Sequence, residues 1–232
     1  MKTTSEVFYK VLGLRGKAMN GGRGRWPLPH DDQPGKWVEV AGPLVACQNG
    51  LHVCRLDWLI LWLGPTIWRV EIDGERIEQP DKIIARRGRL LDRCDWWNKK
   101  SARLFAVACA RRALEREQQA GREPDIRSWN ALTVATAHAN GLSTKAQLAA
   151  AEDAARDAWA ARAAGATRDA AWAAWAAARD AAWTAAGDAA WAARATTRAA
   201  WAATRDAAWA AERQWQITEL KKLAEKTSDL PF

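Results

Sequence analysis

The chain has 232 residues, 49% hydrophobic and 27% charged, with a net charge of +8. Alanine supplies much of the hydrophobic share, and sixteen Trp stand against one Tyr and three Phe, so indoles are the main bulky residues available to a core. No apolar run approaches the roughly 20 residues of a membrane span, the N-terminus has no signal-peptide core, and four cysteines without a CxxC pair or zinc spacing imply reduced thiols in a cytoplasmic protein.

Val7 to Leu12 reads as a first strand, followed by a loop rich in Gly, Arg and Pro through about residue 35. Trp37 to Val40 is a second short strand. Leu44–Cys47 and Leu51–Cys54 flank Gln48-Asn49-Gly50, and the Asn-Gly step predicts a hairpin there. Trp58 to Leu63 is a continuous apolar run that fits a short buried helix capped by Asp57. Thr66 to Ile72 alternates polar and apolar residues up to an expected Asp73-Gly74 turn, and Lys82 to Leu91 is a final strand carrying Arg86, Arg87 and Arg89. Residues 1–98 are therefore expected to form a small, Trp-rich, mostly antiparallel β domain.

Charge is uneven: residues 1–142 carry 23 Lys/Arg and 16 Asp/Glu, whereas residues 143–232 carry 12 and 11. A polyanion would meet the first part of the chain. Arg87 and Arg89 share one face of an extended strand. With Arg86, Lys99, Lys100 and Arg103, and with Arg15, Lys17, Arg23 and Arg25 from the loop, they are candidates for a phosphate-binding surface, with Trp26, Trp96 or Trp97 for base stacking. The competing reading is a solvated basic face. His52, between apolar neighbours and near Cys47 and Cys54, reads as a satisfied core histidine rather than a metal ligand. Glu71, Asp73, Glu75 and Glu78 cluster as acids do around turns. No nucleophile elbow, Walker loop or dinucleotide fingerprint is present, so neither cofactor nor metal is expected.

Residues 99–141 read as connecting helices. Ser101 to Leu114 has the three-and-four spacing of an amphipathic helix, with Ser101 as N-cap, Cys109 on its apolar face, and Gly121 and Pro124 ending it. A second helix, about Ile126 to Ala139, closes at Asn140-Gly141, and Ser143 is placed to cap the next.

Residues 142–232 carry a repeat. Arg-Asp-Ala-Ala-Trp stands at Arg168–Trp172, Arg179–Trp183 and Arg205–Trp209, with looser copies ending at Trp191 and Trp201. At 100° per residue, Trp172, Trp175, Trp183, Trp191, Trp201, Trp209 and Trp215 fall within an arc of about 160°. Trp159 lies outside that arc, which is acceptable if the helix breaks at Gly165. An Ala stripe runs from Ala171 through Ala174 and Ala178 to Ala210, interrupted by Thr196, at spacings of three and four. Two architectures fit: a stack of helical hairpins breaking at Gly141, Gly165 and Gly187, or one helix over about 167–226, roughly 90 Å long, in an oligomer joined through the Ala stripe. Hairpins are favoured, because one isolated helix leaves its indoles in water. The fold class is α+β, a β domain followed by an all-α region.

Cys109-Ala110-Arg111-Arg112-Ala113-Leu114 and the Asp-Ala-Ala-Trp-Ala-Ala array resemble actinobacterial and actinophage proteins related to an immunity-protein family of toxin–immunity systems. Tyr9-Lys10-Val11-Leu12, Pro34-Gly35-Lys36-Trp37 and Gly50-Leu51-His52-Val53-Cys54 resemble a domain that often precedes such repeats. The resemblance implies such a source and a binding role, and transfers no catalytic residue. The first expectation is a non-enzymatic interaction factor, an immunity or phage anti-defence protein. Its partner would be bound by Trp172, Trp175, Trp183, Trp191, Trp201 and Trp209, with Arg168, Arg179 and Arg205 lying over the following indoles. The alternative is a nucleic-acid-binding accessory protein using Arg86, Arg87, Arg89, Lys99 and Lys100. The third is a nucleotide-dependent transferase using Tyr9, His52 and Glu71.

Overall fold

Alternation of apolar and polar residues produces strands in the first part of the chain, and alanine-rich segments with no proline inside them produce helices in the second. The computed structural model describes residues 6–160, 166–178, 193–196 and 206–228, with their side chains except at 166–168, 178, 206–209 and 226–228. The chain divides into two compact units, Met1–Asp95 and Trp96–Phe232. The class is α+β.

The first unit holds one antiparallel five-stranded sheet of β1 (Phe8–Leu12), β2 (Val38–Glu39), β3 (Leu51–Val53), β4 (Thr66–Glu78) and β5 (Ile83–Arg93). β4 pairs with β1 on one side and β5 on the other, and the far edge of β5 carries both β3 and β2. Just beyond β3, Cys54 exchanges both backbone hydrogen bonds with Tyr9, at 2.8 and 2.9 Å. Strands β1, β4, β5 and β3 thereby close into a ring. Its core is Phe8, Leu12, Trp26, Leu51, Val53, Val70, Ile83, Ala85 and Leu90, with Trp58 and Trp68 packed at the margin. The rim indoles keep their polar ends satisfied: Trp62 Nε1 donates to Asp81 O at 2.9 Å, and Trp68 Nε1 to Thr66 Oγ1 at 2.9 Å.

Three local expectations change in this unit. The segments around Gln48-Asn49-Gly50 do not form a two-stranded hairpin; only a Val45–Asn49 bridge closes the turn, and Leu51–Val53 pairs with β5. Gly50 is needed there for close approach, because a Cβ would lie 2.1 Å from Ile84 Cγ2 and φ is +142°. Asp73-Gly74 is a bulge within a single 13-residue strand; the β4–β5 connection lies at 79–82, where Gln79 N donates to Lys82 O. The apolar run is a 3₁₀ helix, Leu56–Leu61, whose N-cap position is Arg55, so Asp57 sits in its first turn rather than capping it.

The second unit is helical: α1 (Lys99–Gln119), α2 (Ile126–Ala139), α3 (Lys145–Ala160), α4 (Ala166–Ala178) and α5 (Asp206–Ser228), with a further helical turn at 193–196. α1 begins earlier than Ser101. Asn98 is the N-cap, its side chain accepting from Lys100 N and Ser101 N, while Asn98 N donates to Ser101 Oγ in a capping box. α3 is capped by Thr144 rather than Ser143: Gln147 N donates to Thr144 Oγ1, and Thr144 N to Gln147 Oε1. Ser143 Oγ instead donates to Val134 O.

α4 packs against α1, α2 and α3. Ala170, Ala171, Ala173, Ala174, Ala176 and Ala177 are all at most 3% exposed, so this helix is enclosed nearly all round. Small side chains permit that, since alanine lets several neighbouring backbones approach closely. Ala171 and Ala174 of the stripe, and Thr196 with them, are thus buried within this one chain, whereas Ala210 is exposed. Gln216 of α5 donates to Ala193 O at 3.0 Å. In one straight helix those residues would lie about 35 Å apart. A single helix over 167–226 is therefore excluded, and the repeat folds back on itself.

Candidate functional site

The arginines of β5 divide between two faces. Arg87 and Arg89 sit over the ring of Trp37, with guanidinium carbons 4.4 and 4.7 Å from its centroid. Each meets a cross-strand acid dictated by register: Glu71 opposite Arg89 and Asp73 opposite Arg87. Arg89 Nε donates to Glu71 at 2.7 Å, and Arg87 approaches Asp73 at 3.5 Å. Arg86 is spent on structure, donating to the carbonyls of Val40 and Gly42 and pairing with Glu75. Arg76 and Arg55 share Glu78 and Glu6. The acids of β4 are thus counter-ions for the arginines around them, and the expected phosphate-binding strand is largely self-neutralised.

Lys99 and Lys100 are exposed in the first turn of α1, in the other unit. Trp26 and Trp97 are 7% and 0% exposed, which removes both as stacking platforms, while Trp96 stays half-buried and meets Trp97 edge-on.

His52 keeps the structural role expected of it. Its Nε2 accepts from Cys47 N at 3.1 Å, and burial together with the Lys10 charge holds its pKa below the ordinary value. Tyr9 stands opposite Arg69 in the β1–β4 register, its hydroxyl pushed up by burial, and Glu71 is committed to Arg89. Lys10 was not visible as special in the sequence. Strand alternation sends it to the same face as Phe8 and Leu12, where its ammonium donates to His52 O at 2.6 Å and lies 5.4 Å from the Trp26 ring centroid. Burial pushes its pKa down to about 8. The period-two spacing from Phe8 to Leu12 was the signal available.

In the helical unit, Trp172 and Trp175 of α4 meet Trp159 of α3. The Trp159–Trp172, Trp159–Trp175 and Trp172–Trp175 centroids are 5.1, 6.1 and 4.2 Å apart. Trp159 falls outside the helical arc because it belongs to a separate helix that reaches the other two across the α3–α4 hairpin. All three indoles remain half-buried. Trp183, Trp191, Trp201, Arg179 and Arg205 lie outside the described residues, as do the side chains of Arg168 and Trp209.

A buried polar clasp joins α1 to α5. Glu212, 0% exposed, accepts from Arg112 Nε at 2.9 Å and Arg116 at 2.6 Å. Gln216 donates to Glu212 Oε1 at 3.1 Å and to Thr196 Oγ1 at 2.7 Å. Arg112 also lies 4.6 Å over the Trp215 ring, so a cation from a connecting helix, rather than from the repeat phrase, covers this indole.

Among the described residues no group of three or more His, Cys, Asp or Glu side chains is arranged to hold a metal ion, and no helix is long and apolar enough to cross a membrane. Comparison with protein-family models, curated proteins and solved structures finds no match.

Proposed function

We propose that the protein is a non-enzymatic interaction factor that captures a protein partner on the Trp-bearing face of its helical unit. The observation that carries this reading is the triple-indole cluster of Trp159, Trp172 and Trp175, gathered at one place and half-buried. The interior of α4 is filled by alanines, so these indoles are not what fills it. Rigid aromatic groups that pack on one another while keeping a wet face are suited to anchor a partner, where Trp is enriched among the residues that dominate binding energy. The resemblance to immunity proteins supports a toxin or defence protein as that partner.

Affinity enrichment from a host lysate tests the reading, with the intact protein and a Trp172→Ala/Trp175→Ala variant compared after thermal melts show both folded. Enrichment of a discrete partner, reduced at least tenfold in the variant and kept by Arg111→Gln, an exposed position of α1, supports it. A partner retained in full by the double variant, or none above a tag-only control, overturns it.

A further inference from the structure

Between Val7 and His30 the chain holds no acidic residue, yet it carries Arg15, Lys17, Arg23 and Arg25. These four are exposed on an ordered hairpin. Lys17 and Arg25 pair across it, Ala18 N donates to Gly24 O at 3.0 Å, Trp26 N to Gly16 O at 2.9 Å, and Gly22 N to Met19 O at 3.1 Å in the tip. Trp26 roots one arm in the sheet core. Gly16 roots the other, since a Cβ there would lie 2.5 Å from Trp26 O. Arg25 is oriented by a 3.1 Å bond to Arg15 O, which leaves its charge intact. Arg55, Arg69, Arg76, Arg86, Arg87 and Arg89 each have a carboxylate partner. Among the described residues, none of the four hairpin cations forms an ion pair.

We propose that this hairpin, residues 13–28, is a contact for the phosphate backbone of nucleic acid. Four uncompensated charges fixed on one small scaffold complement a polyanion whose charges are themselves closely spaced. Three of the four are arginines, whose forked donors suit phosphate oxygens. Gly21 and Gly24 have open space where a side chain would stand, so phosphate can reach the backbone amides there. The location of the apolar residues argues against other polyanions. Leu14 and Leu28, 60% and 41% exposed, sit at the root, while the tip is Asn20-Gly21-Gly22. A membrane-inserting loop needs its apolar residues at the tip, and a protein interface needs an apolar anchor among its cations. Contacts to phosphate alone give affinity without sequence preference.

Fluorescence anisotropy of the full chain with a labelled 20-base-pair DNA duplex, at 50 to 200 mM salt, tests this. Engagement of about four phosphates predicts a log–log salt slope near −3.6. Lys17→Glu/Arg23→Glu should weaken binding at 50 mM salt at least tenfold, and Lys17→Gln/Arg23→Gln should bring the slope to about −1.8. Lys99→Glu/Lys100→Glu, with the same change in net charge as the first variant, should stay within threefold of wild type. Hydrogen exchange of the wild-type protein with and without DNA gives an answer independent of variant folding: peptides covering 13–28 should be protected. The proposal is overturned if the duplex does not bind at 50 mM salt, if reversal at Lys99/Lys100 matters more than reversal in the hairpin, or if DNA leaves 13–28 unprotected. It is also overturned if vesicles of 30% phosphatidylserine or polyglutamate bind the hairpin more tightly than the duplex.

Discussion

Lys10 and Glu212 are both charges withdrawn from water, and they are compensated differently. Lys10 has one carbonyl and one aromatic face, and no carboxylate among the described residues forms an ion pair with it. Its folded pKa of about 8 lies below the ordinary 10.5, so between those values the unfolded chain holds a proton that the native state has released. Stability therefore rises with pH across that window and is lowest below it. Lys10→Met should raise stability at pH 7 by about 1–2 kcal/mol and flatten the rise, read from urea unfolding at pH 7 and 10. Glu212 has two arginines and a glutamine. Glu212→Ala leaves those cations facing each other and should cost about 3 kcal/mol in the same measurement. Lys10's setting was half legible, from its parity with Phe8 and Leu12. Glu212 was not legible at all, because Arg112 lies 100 residues away and nothing local to Glu-Arg-Gln marks it as buried.

At the scale of elements, the sequence was most informative where a single residue's chemistry decides the outcome. α2 follows its expected bounds because Asp125 caps it and Asn140-Gly141 ends it. The sequence misled where partners compete. Asn49-Gly50 is good turn chemistry, but the residues after it gain more by pairing with β5 than with the short Leu44–Cys47 segment. Asp73-Gly74 reads as a turn in isolation, yet Arg86 and Arg87 across the strand pair with Glu75 and Asp73 and hold it as a bulge. Two substitutions check the local arguments. Gly50→Ala should destabilise the sheet unit by at least ~2 kcal/mol, since both its φ and Ile84 oppose a side chain. Asn98→Ala should cost about 1 kcal/mol by uncapping α1. Circular dichroism and chemical denaturation distinguish the two sizes.

Across the whole molecule, each unit has its own buried interior, one built on β-branched residues and aromatics, the other on alanine. Energetic effects should therefore stay local. In hydrogen-exchange measurements, Gly50→Ala should accelerate exchange in peptides from 51–93 and leave 99–160 unchanged, with Glu212→Ala doing the reverse. The repeat's periodicity announced helices, and α3 and α4 are separate helices ending at Ala160 and beginning at Ala166, whereas Gly165, the expected break, lies outside the described residues. Which neighbours enclose the alanines was not readable, because alanine at many positions satisfies many packings equally well.

The Tyr9–Cys54 exchange of backbone bonds has a consequence for life in a crowded solution. A sheet this rich in indoles would ordinarily offer unpaired strand edges on which other chains could polymerise. Here β1 and β3 close on each other, the stretch of β4 beyond β1, Glu71–Glu78, is blunted by its charged side chains and its bulge, and β2, with two residues, is too short a template for another chain to extend. The same two hydrogen bonds that complete a fold thus guard the β1 and β3 edges against fibre growth, and charge guards the rest.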